Sequence, residues 1–384
     1  MVTIPVEPPV TEYLYRKASR LNIPLSGTFE LTPVCNMKCK MCYVRMSQEQ
    51  QEAVRPLRTA DEWLALGQEA KKQGMLYLLL TGGEPFIRPD FRKILSGLHK
   101  MGIIVSINSN GTLIDEAVIE WLKETPPVRI NITLYGASDE TYCRLCGNPH
   151  GFTQVTRAIQ LLREAGISVK INCSVTPYNE KDLEAIFAFC REEHLIVQAT
   201  SYMFPPLRRD TSQIGQNDRF TPEKAAYYSA KIECLLNGEE RFLAQIKEKN
   251  LTGLCSDSGD DCLGTEGEGI KCRAGKCSFW VTWQGKLLPC GMLPEADAPD
   301  VFQSGFESAW KKASADVCSI RLPAKCSKCI LRVQCKACAA MVYTETGNFH
   351  TVPQYRCKMA HEYINACLQL ETEIRKRGVS NNEK

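Results

Sequence analysis

Between residues 28 and 203 the chain alternates short apolar, β-branched runs with longer amphipathic stretches, the pattern of repeated βα units around a parallel sheet. The runs TFELTPV (28–34), LYLLL (76–80), IIVSINS (103–109), RINITLY (129–135), SVKINCSV (168–175) and IVQATSYMF (196–204) predict six strands. The stretches between them carry helix starts. Thr59 with Glu62 forms a capping box ahead of WLALGQEAKK, and Pro89-Asp90 precedes FRKILSGLHK. Six parallel strands with helices outside predict an α/β fold in the form of an open, partial barrel; a doubly wound open sheet meets the same periodicity.

The period breaks at FPPLRRDTSQIGQNDRF (204–220), and Thr221-Pro222-Glu223 then opens a helix to about Leu236 with Pro at its first position. From Cys255 onward the chain is Cys- and Gly-rich, with short strands in CSFWVTW and KLLPCGML around a Gln284-Gly285 turn. Such a segment has little core of its own, and its folding is expected to depend on metal. The predicted organisation is an N-terminal extension (1–27), a βα core (28–205), a helical connector (206–254) and a small Cys-rich α+β domain with a C-terminal helix (255–384), the last six residues being frayed. There is no tandem repeat or low-complexity tract.

With 384 residues, 44% hydrophobic and 24% charged, the composition is that of a core-forming globular chain and excludes a disordered or fibrous protein. A formal net charge of +3 is too small to mark a general binder of nucleic acid or membrane surfaces, so neither is expected as a partner. The N-terminus lacks the charged start and apolar run of a secretory signal, and no apolar stretch reaches the roughly 18 residues needed to span a bilayer. The expected location is the cytoplasm. There 20 cysteines point to metal ligands or redox chemistry rather than to a disulfide scaffold.

Immediately after the first predicted strand comes Cys35-Asn36-Met37-Lys38-Cys39-Lys40-Met41-Cys42-Tyr43, a C-x3-C-x2-C run. Three thiolates from one loop can hold three irons of a four-iron cube and leave the fourth iron open for chemistry. A closed zinc site, or a cluster with a fourth thiolate from elsewhere, is the alternative. Thr81-Gly82-Gly83-Glu84-Pro85 follows the second strand and Asn108-Ser109-Asn110-Gly111-Thr112 ends the third, the positions where a parallel α/β sheet places its site. Glycines there let the backbone approach a ligand and Glu84 suits an ammonium, although ordinary turn chemistry also accounts for either segment taken alone.

Together these motifs resemble the radical S-adenosylmethionine superfamily, whose defining loop is C-x3-C-x2-C with an aromatic residue beside the last cysteine. The resemblance implies a partial (β/α)6 TIM-like barrel and a 4Fe-4S cluster on Cys35, Cys39 and Cys42, whose open iron chelates the amino and carboxylate groups of S-adenosylmethionine. It further implies that Tyr43 lies against the adenine and that Gly82, Gly83 and Glu84 form the motif binding the methionine amine. Asn108, Ser109 and Asn110 resemble the segment that approaches the ribose. Thr133 in NITLYGAS and Arg144 in TYCRLCG resemble the hydroxyl and guanidinium that related enzymes aim at the cofactor carboxylate, for which Arg offers a fixed donor fork. A solvated helix-face arginine is the other reading of Arg144.

The C-terminal cysteines repeat a frame: Cys272, Cys277, Gly285 and Cys290, then Cys326-x2-Cys329-x5-Cys335-x2-Cys338, then Cys357. This is similar to the SPASM extension of radical S-adenosylmethionine proteins, with Cys335-x2-Cys338 one residue shorter than the usual spacing. By that resemblance Cys272, Cys277, Cys290 and Cys338 hold an auxiliary cluster near the active site, and Cys326, Cys329, Cys335 and Cys357 hold an outer one. The chain would then carry three 4Fe-4S clusters together with S-adenosylmethionine. Paired zinc-ribbon sites fit the same spacing in isolation. Of the remaining cysteines, Cys173, Cys190, Cys234, Cys318 and Cys367 read as small hydrophobes. Cys143, Cys146, Cys255 and Cys262, in loop-like sequence, are candidates for a substrate-linking or catalytic thiol. No catalytic acid or base is assigned; Asp257, Asp260 and Asp261 are candidates by loop position only.

The resemblance implies reductive cleavage of S-adenosylmethionine to a 5′-deoxyadenosyl radical that abstracts a substrate hydrogen, with an auxiliary cluster able to accept an electron from the substrate. The expected function is oxidative modification of a ribosomally made peptide or a protein, with a reducing partner such as flavodoxin or ferredoxin. Some 27 residues precede the first strand, too few for the winged-helix leader-binding domain of many such maturases. An anaerobic sulfatase-maturating, formylglycine-forming enzyme and a dehydrogenase of a small, sugar-like molecule are the enzymatic alternatives. A multi-cluster electron carrier is the non-enzymatic one, and it would need neither the open-iron loop nor Glu84.

Overall fold

The computed structural model describes residues 8–208, 212, 214–251 and 267–382. All six predicted strands form: β1 (Ser26–Glu30), β2 (Tyr77–Thr81), β3 (Ile104–Ser109), β4 (Arg129–Thr133), β5 (Val169–Ser174) and β6 (Ile196–Thr200). They pair in parallel in the order β6-β5-β4-β3-β2-β1, each joined to the next through a helix. The sheet with its helices is the partial TIM-like α/β barrel anticipated from the βα repeat.

Strand alternation sorts the two faces of the sheet. Val105 and Ile107 on β3, Ile130 and Ile132 on β4 and Ile171 on β5 are buried in one core with Ile94, Leu98, Ile159 and Phe187 of the surrounding helices. Registered neighbours share a face in a parallel sheet, so Asn108, Asn131 and Lys170 form one row on the opposite side, and Thr133, Asn172 and Gln198 the next. Asn131 Nδ2 donates to Asn108 Oδ1 at 2.8 Å across that row. The half-barrel therefore has an apolar outside under its helices and a polar inside.

Local signals act largely as read. Thr59 Oγ1 accepts from Glu62 N at 3.2 Å and the Glu62 carboxylate accepts from Thr59 N at 2.7 Å, starting the helix Ala60–Lys72. Asp90 precedes the helix Phe91–Lys100, but its carboxylate is held by Arg88 at 2.8 and 2.9 Å instead of capping. The sixth strand stops at Thr200, short of the expected residue 204, because the carbonyls of Met203 and Phe204 are taken by Asn217 and that of Met203 also by Arg219. The first strand begins at Ser26, and the N-terminal extension contributes the helix Pro9–Leu21.

The Cys-rich segment joins the core instead of standing apart. β7 (Ser278–Val281) pairs in parallel with the free edge of β1, from Ser26↔Ser278 to Phe29↔Val281, and β8 (Leu287–Leu288) pairs antiparallel to β7, giving one eight-stranded sheet. Phe279 lies over Gly27, where a Cβ would sit 2.3 Å from its ring, and packs edge-on against Phe306 and Trp310. The connector helix Pro222–Asn237 lies along the C-terminal helix Gln354–Asn382, with Tyr227 donating to Glu373 at 2.7 Å.

Candidate active site

The first cysteine loop leaves β1 on a stem that the glycines of residues 82 and 83 make possible. Gly83 N donates to Thr32 O at 2.6 Å and Glu84 N to Val34 O at 2.9 Å. A Cβ on Gly82 would stand 2.4 Å from Thr32 O, and one on Gly83 2.3 Å from Val34 O. The close approach that these glycines permit is thus to the stem of the cysteine loop. On its other side the loop is braced by the end of the helix Asp139–Cys146, through Lys38 N to Cys146 O at 2.7 Å and Lys40 N to Leu145 O at 3.2 Å.

Within the loop, Cys35 Sγ accepts from Met37 N at 3.4 Å and Asn110 Nδ2 at 3.6 Å, and Cys42 Sγ accepts from Arg45 N at 3.3 Å. Burial pushes the Cys35 thiol up to about 12; Met37 N opposes this, while Glu84, Cys39 and Cys42 add to it. Cys39 is raised first by a side-chain bond with Cys146, then by burial. Ligation to iron would bind both as thiolates. Three cysteines of one loop, all half-buried and close enough to act on one another's charge, fit a cluster that leaves one iron open.

Glu84 is wholly buried. Its carboxylate accepts from Ser109 Oγ at 2.9 Å, Asn110 N at 2.7 Å and Phe86 N at 3.1 Å, tying the end of β2 to the end of β3. Burial raises it to about 7 despite those bonds. A cationic ligand would return it to the charged form. Asn108 lies lower in the barrel on the polar face, paired with Asn131. Thr133 ends β4 on that face beside Asn172. Arg144 stands at the rim, about half exposed, with Nη2 on Tyr178 O at 2.6 Å and Glu140 4.0 Å away. Its helix also braces the cysteine loop, so Arg144 is brought to the site's edge, and Glu84, Ser109 and Asn110 to its centre.

Tyr43, next to Cys42, is raised by burial, with Glu30, Cys42 and Cys290 acting in the same direction and Arg208 against them. It stands between the first cysteine loop and the C-terminal segment. There, burial pushes Cys290 up to about 11, with Cys338 and Cys272 contributing, and Cys272 likewise acts on Cys277. Ser19 of the N-terminal helix lies 3.0 Å from Cys277 Sγ. The four cysteines of the expected inner set are therefore neighbours. The outer four, Cys326, Cys329, Cys335 and Cys357, line one cavity with Leu331, Ala337 and Pro353.

Among the described residues no group of three or more His, Cys, Asp or Glu converges closely enough to hold a single metal ion. A lone zinc needs all its sulfurs about 2.3 Å from one point, whereas a four-iron cube takes one thiolate per corner and spreads them. The donor sets, all thiol, fit the cluster.

Sequence reasoning missed Arg208 and Glu30 and gave Cys146 a different part. Cys146 is buried against Cys39 rather than available to a substrate, and Arg208 and Glu30 meet behind Tyr43. No spacing rule marks them, since each acts through a partner distant in sequence. Cys143 and Cys318 are exposed, while Cys173, Cys190, Cys234 and Cys367 are buried. Cys255, Cys262, Asp257, Asp260 and Asp261 lie outside the described residues.

Comparison with known proteins gives this geometry a family. An AdoMet-dependent heme synthase of Methanosarcina barkeri is 26% identical over 85% of this chain and 95% of its own length. The antilisterial bacteriocin subtilosin biosynthesis protein AlbA of Bacillus subtilis is 26% identical over 74% of this chain and 59% of its own. Streptococcus suis SuiB, in its crystal structure with the precursor peptide SuiA, superposes with a TM-score of 0.65 at 18% identity, covering 90% of this chain and 80% of that one. Residues 29–190 match the model of the Radical SAM superfamily, which identifies the βα core of this chain as a radical SAM domain.

Proposed function

We propose that this radical S-adenosylmethionine enzyme oxidatively modifies a peptide or protein substrate and uses three 4Fe-4S clusters to do so. The observation that carries the reading is the pair of complete C-terminal cysteine quartets, one beside Tyr43 and one around its own cavity. Clusters ligated by four protein thiolates are suited to moving electrons rather than to binding substrate. The names of AlbA, a bacteriocin biosynthesis protein, and of SuiB, crystallised with a precursor peptide, support a peptide substrate.

When bound, the open cluster and S-adenosylmethionine supply a 5′-deoxyadenosyl radical for hydrogen abstraction. The chain's own residues position and shield that chemistry. In this reading Cys35, Cys39 and Cys42 hold the cluster, and Glu84 takes the methionine ammonium. Ser109, Asn110 and Asn108 meet the ribose side, Tyr43 covers the adenine, and Thr133 and Arg144 face the carboxylate. Gly82 and Gly83 set the loop stem that fixes all of these relative to one another. A low-potential, acidic carrier of the flavodoxin or ferredoxin kind is the reductant. Formylglycine formation on a sulfatase peptide is one instance of the same reaction class.

A second reading is oxidation of a heme precursor, favoured by the near full-length similarity to the heme synthase of M. barkeri. The test is anaerobic turnover with dithionite, offering candidate precursor peptides or an iron porphyrin and measuring 5′-deoxyadenosine and substrate mass. A peptide lighter by hydrogen supports the proposal. Turnover only with the porphyrin establishes the second reading, and full clusters with no cleavage under any condition leave an electron carrier.

A further inference from the structure

Arg208 follows β6 in the stretch whose sequence shows only a Pro-rich break. Its side chain is 6% exposed and makes a paired bond to Glu30, Nη1 to Oε2 at 2.9 Å and Nη2 to Oε1 at 2.8 Å. Nε donates to Glu295 Oε1 at 2.5 Å, and Nη1 also reaches the carbonyl of Gly291, the residue after Cys290, at 3.2 Å. Glu30, wholly buried at the end of β1, accepts a further bond from Trp280 Nε1 of β7 at 3.1 Å. Gly291 lies flat on that indole, where a Cβ would come within 2.6 Å of the ring. On the other side the guanidinium carbon is 5.7 Å from the ring centre of Tyr43, adjacent to Cys42.

One cation and two carboxylates are thus fixed between the loop of Cys35, Cys39 and Cys42 and the loop of Cys290, joining elements far apart in the chain. A buried guanidinium with a bidentate carboxylate holds its geometry tightly, and charges there are weakly screened by solvent. A net negative charge beside a cluster opposes its reduction, and fixed nearby charge is one of the means by which proteins tune cluster potentials.

We propose that Glu30, Arg208 and Glu295 form a positioning triad that fixes the auxiliary cluster held in part by Cys290 against the Tyr43 end of the first loop and sets that cluster's reduction potential. The triad orients and polarises through its contacts with Gly291, Trp280 and the ring of Tyr43. The inference rests on the reading that the quartet of Cys290 holds an iron–sulfur cluster.

The test is an anaerobic redox titration followed by electron paramagnetic resonance on the reconstituted full chain, with iron counted in every sample. The midpoint belonging to Cys290 is identified by its loss in Cys290→Ala. Glu295→Gln keeps the shape of the triad and removes one negative charge; Glu307→Gln, at an exposed carboxylate, is the control. The expected result is full iron content in Glu295→Gln with an upward shift of the Cys290 midpoint alone, no shift in the control, and a near wild-type midpoint in Arg208→Lys, which keeps the cation. Fully loaded Glu295→Gln with all midpoints unmoved, or all moved alike, overturns the inference. No loss of iron in Cys290→Ala overturns instead the cluster reading on which it rests.

Discussion

The side chain of Asn110 donates to Oδ1 of Asn36 at 2.9 Å, fastening the end of β3 to the cysteine loop. Asn36 answers by donating to Thr112 Oγ1 at 2.8 Å. The two segments that the family resemblance assigns to cluster and ribose are thereby one rigid piece, with Glu84 bound beneath through Asn110 N. Asn110→Ala is expected to loosen that piece and weaken S-adenosylmethionine binding about tenfold, the effect of one lost hydrogen bond of roughly 1.4 kcal/mol. Equilibrium binding to the loaded protein checks this, and an unchanged Kd contradicts it.

Glu84 gives a pH signature. Burial raises its carboxyl to about 7 from an ordinary 4.5. A raised acid contributes stability that is full below the unfolded value and is lost as pH rises through the folded one. Each pH unit between those two values is worth roughly 1.4 kcal/mol, so between pH 4.5 and 8 the metal-free protein should lose about 3 kcal/mol relative to Glu84→Gln. Denaturant midpoints of both proteins across that range provide the measurement; parallel curves would contradict it.

Two glycines separate steric need from backbone need. Alanine at Gly83 would drive a methyl into Val34 O at 2.3 Å, so Gly83→Ala should distort the loop stem and remove most of the iron held by the first loop. Gly102, with φ of +75° and open space around it, should tolerate Gly102→Ala at a cost of about 1 kcal/mol and with iron content unchanged. Iron analysis and thermal melts of the two variants make the comparison.

How far the site was legible follows from where its signals lie. The strands and the Thr59 capping box are local patterns, and local patterns survive folding. The cysteine spacings and the Gly82-Gly83-Glu84 turn are equally local. The pairing of β7 with β1 is not, because Ser26 and Ser278 meet only when a long connection closes. Nor is the Arg208–Glu30 bond, whose two residues lie 178 positions apart in the chain. Phe279 over Gly27 shows the same: the small residue is explained only by its distant partner.

A second buried ion pair holds the connector. Arg219 meets Glu345 at 2.5 and 2.8 Å with both side chains 5% exposed or less, Tyr202 donates to the same carboxylate at 2.7 Å, and the guanidinium stacks on Tyr355 at 3.5 Å. Removing one partner strands the other charge, so Glu345→Ala should destabilise the chain by about 3–5 kcal/mol. A lowered Tm in thermal unfolding is the expected result, and a change within about 0.5 kcal/mol would contradict it.

The first cysteine loop is the assignment on which the chemistry depends. Wild type and a variant with Cys35, Cys39 and Cys42 all replaced by Ala are reconstituted anaerobically, assayed for iron and sulfide, and reduced with dithionite in the presence of S-adenosylmethionine. The prediction is about twelve irons per chain in the wild type, about eight in the variant, and 5′-deoxyadenosine from the wild type alone. Zinc in place of iron, or equal iron and equal deoxyadenosine in the two proteins, would contradict it.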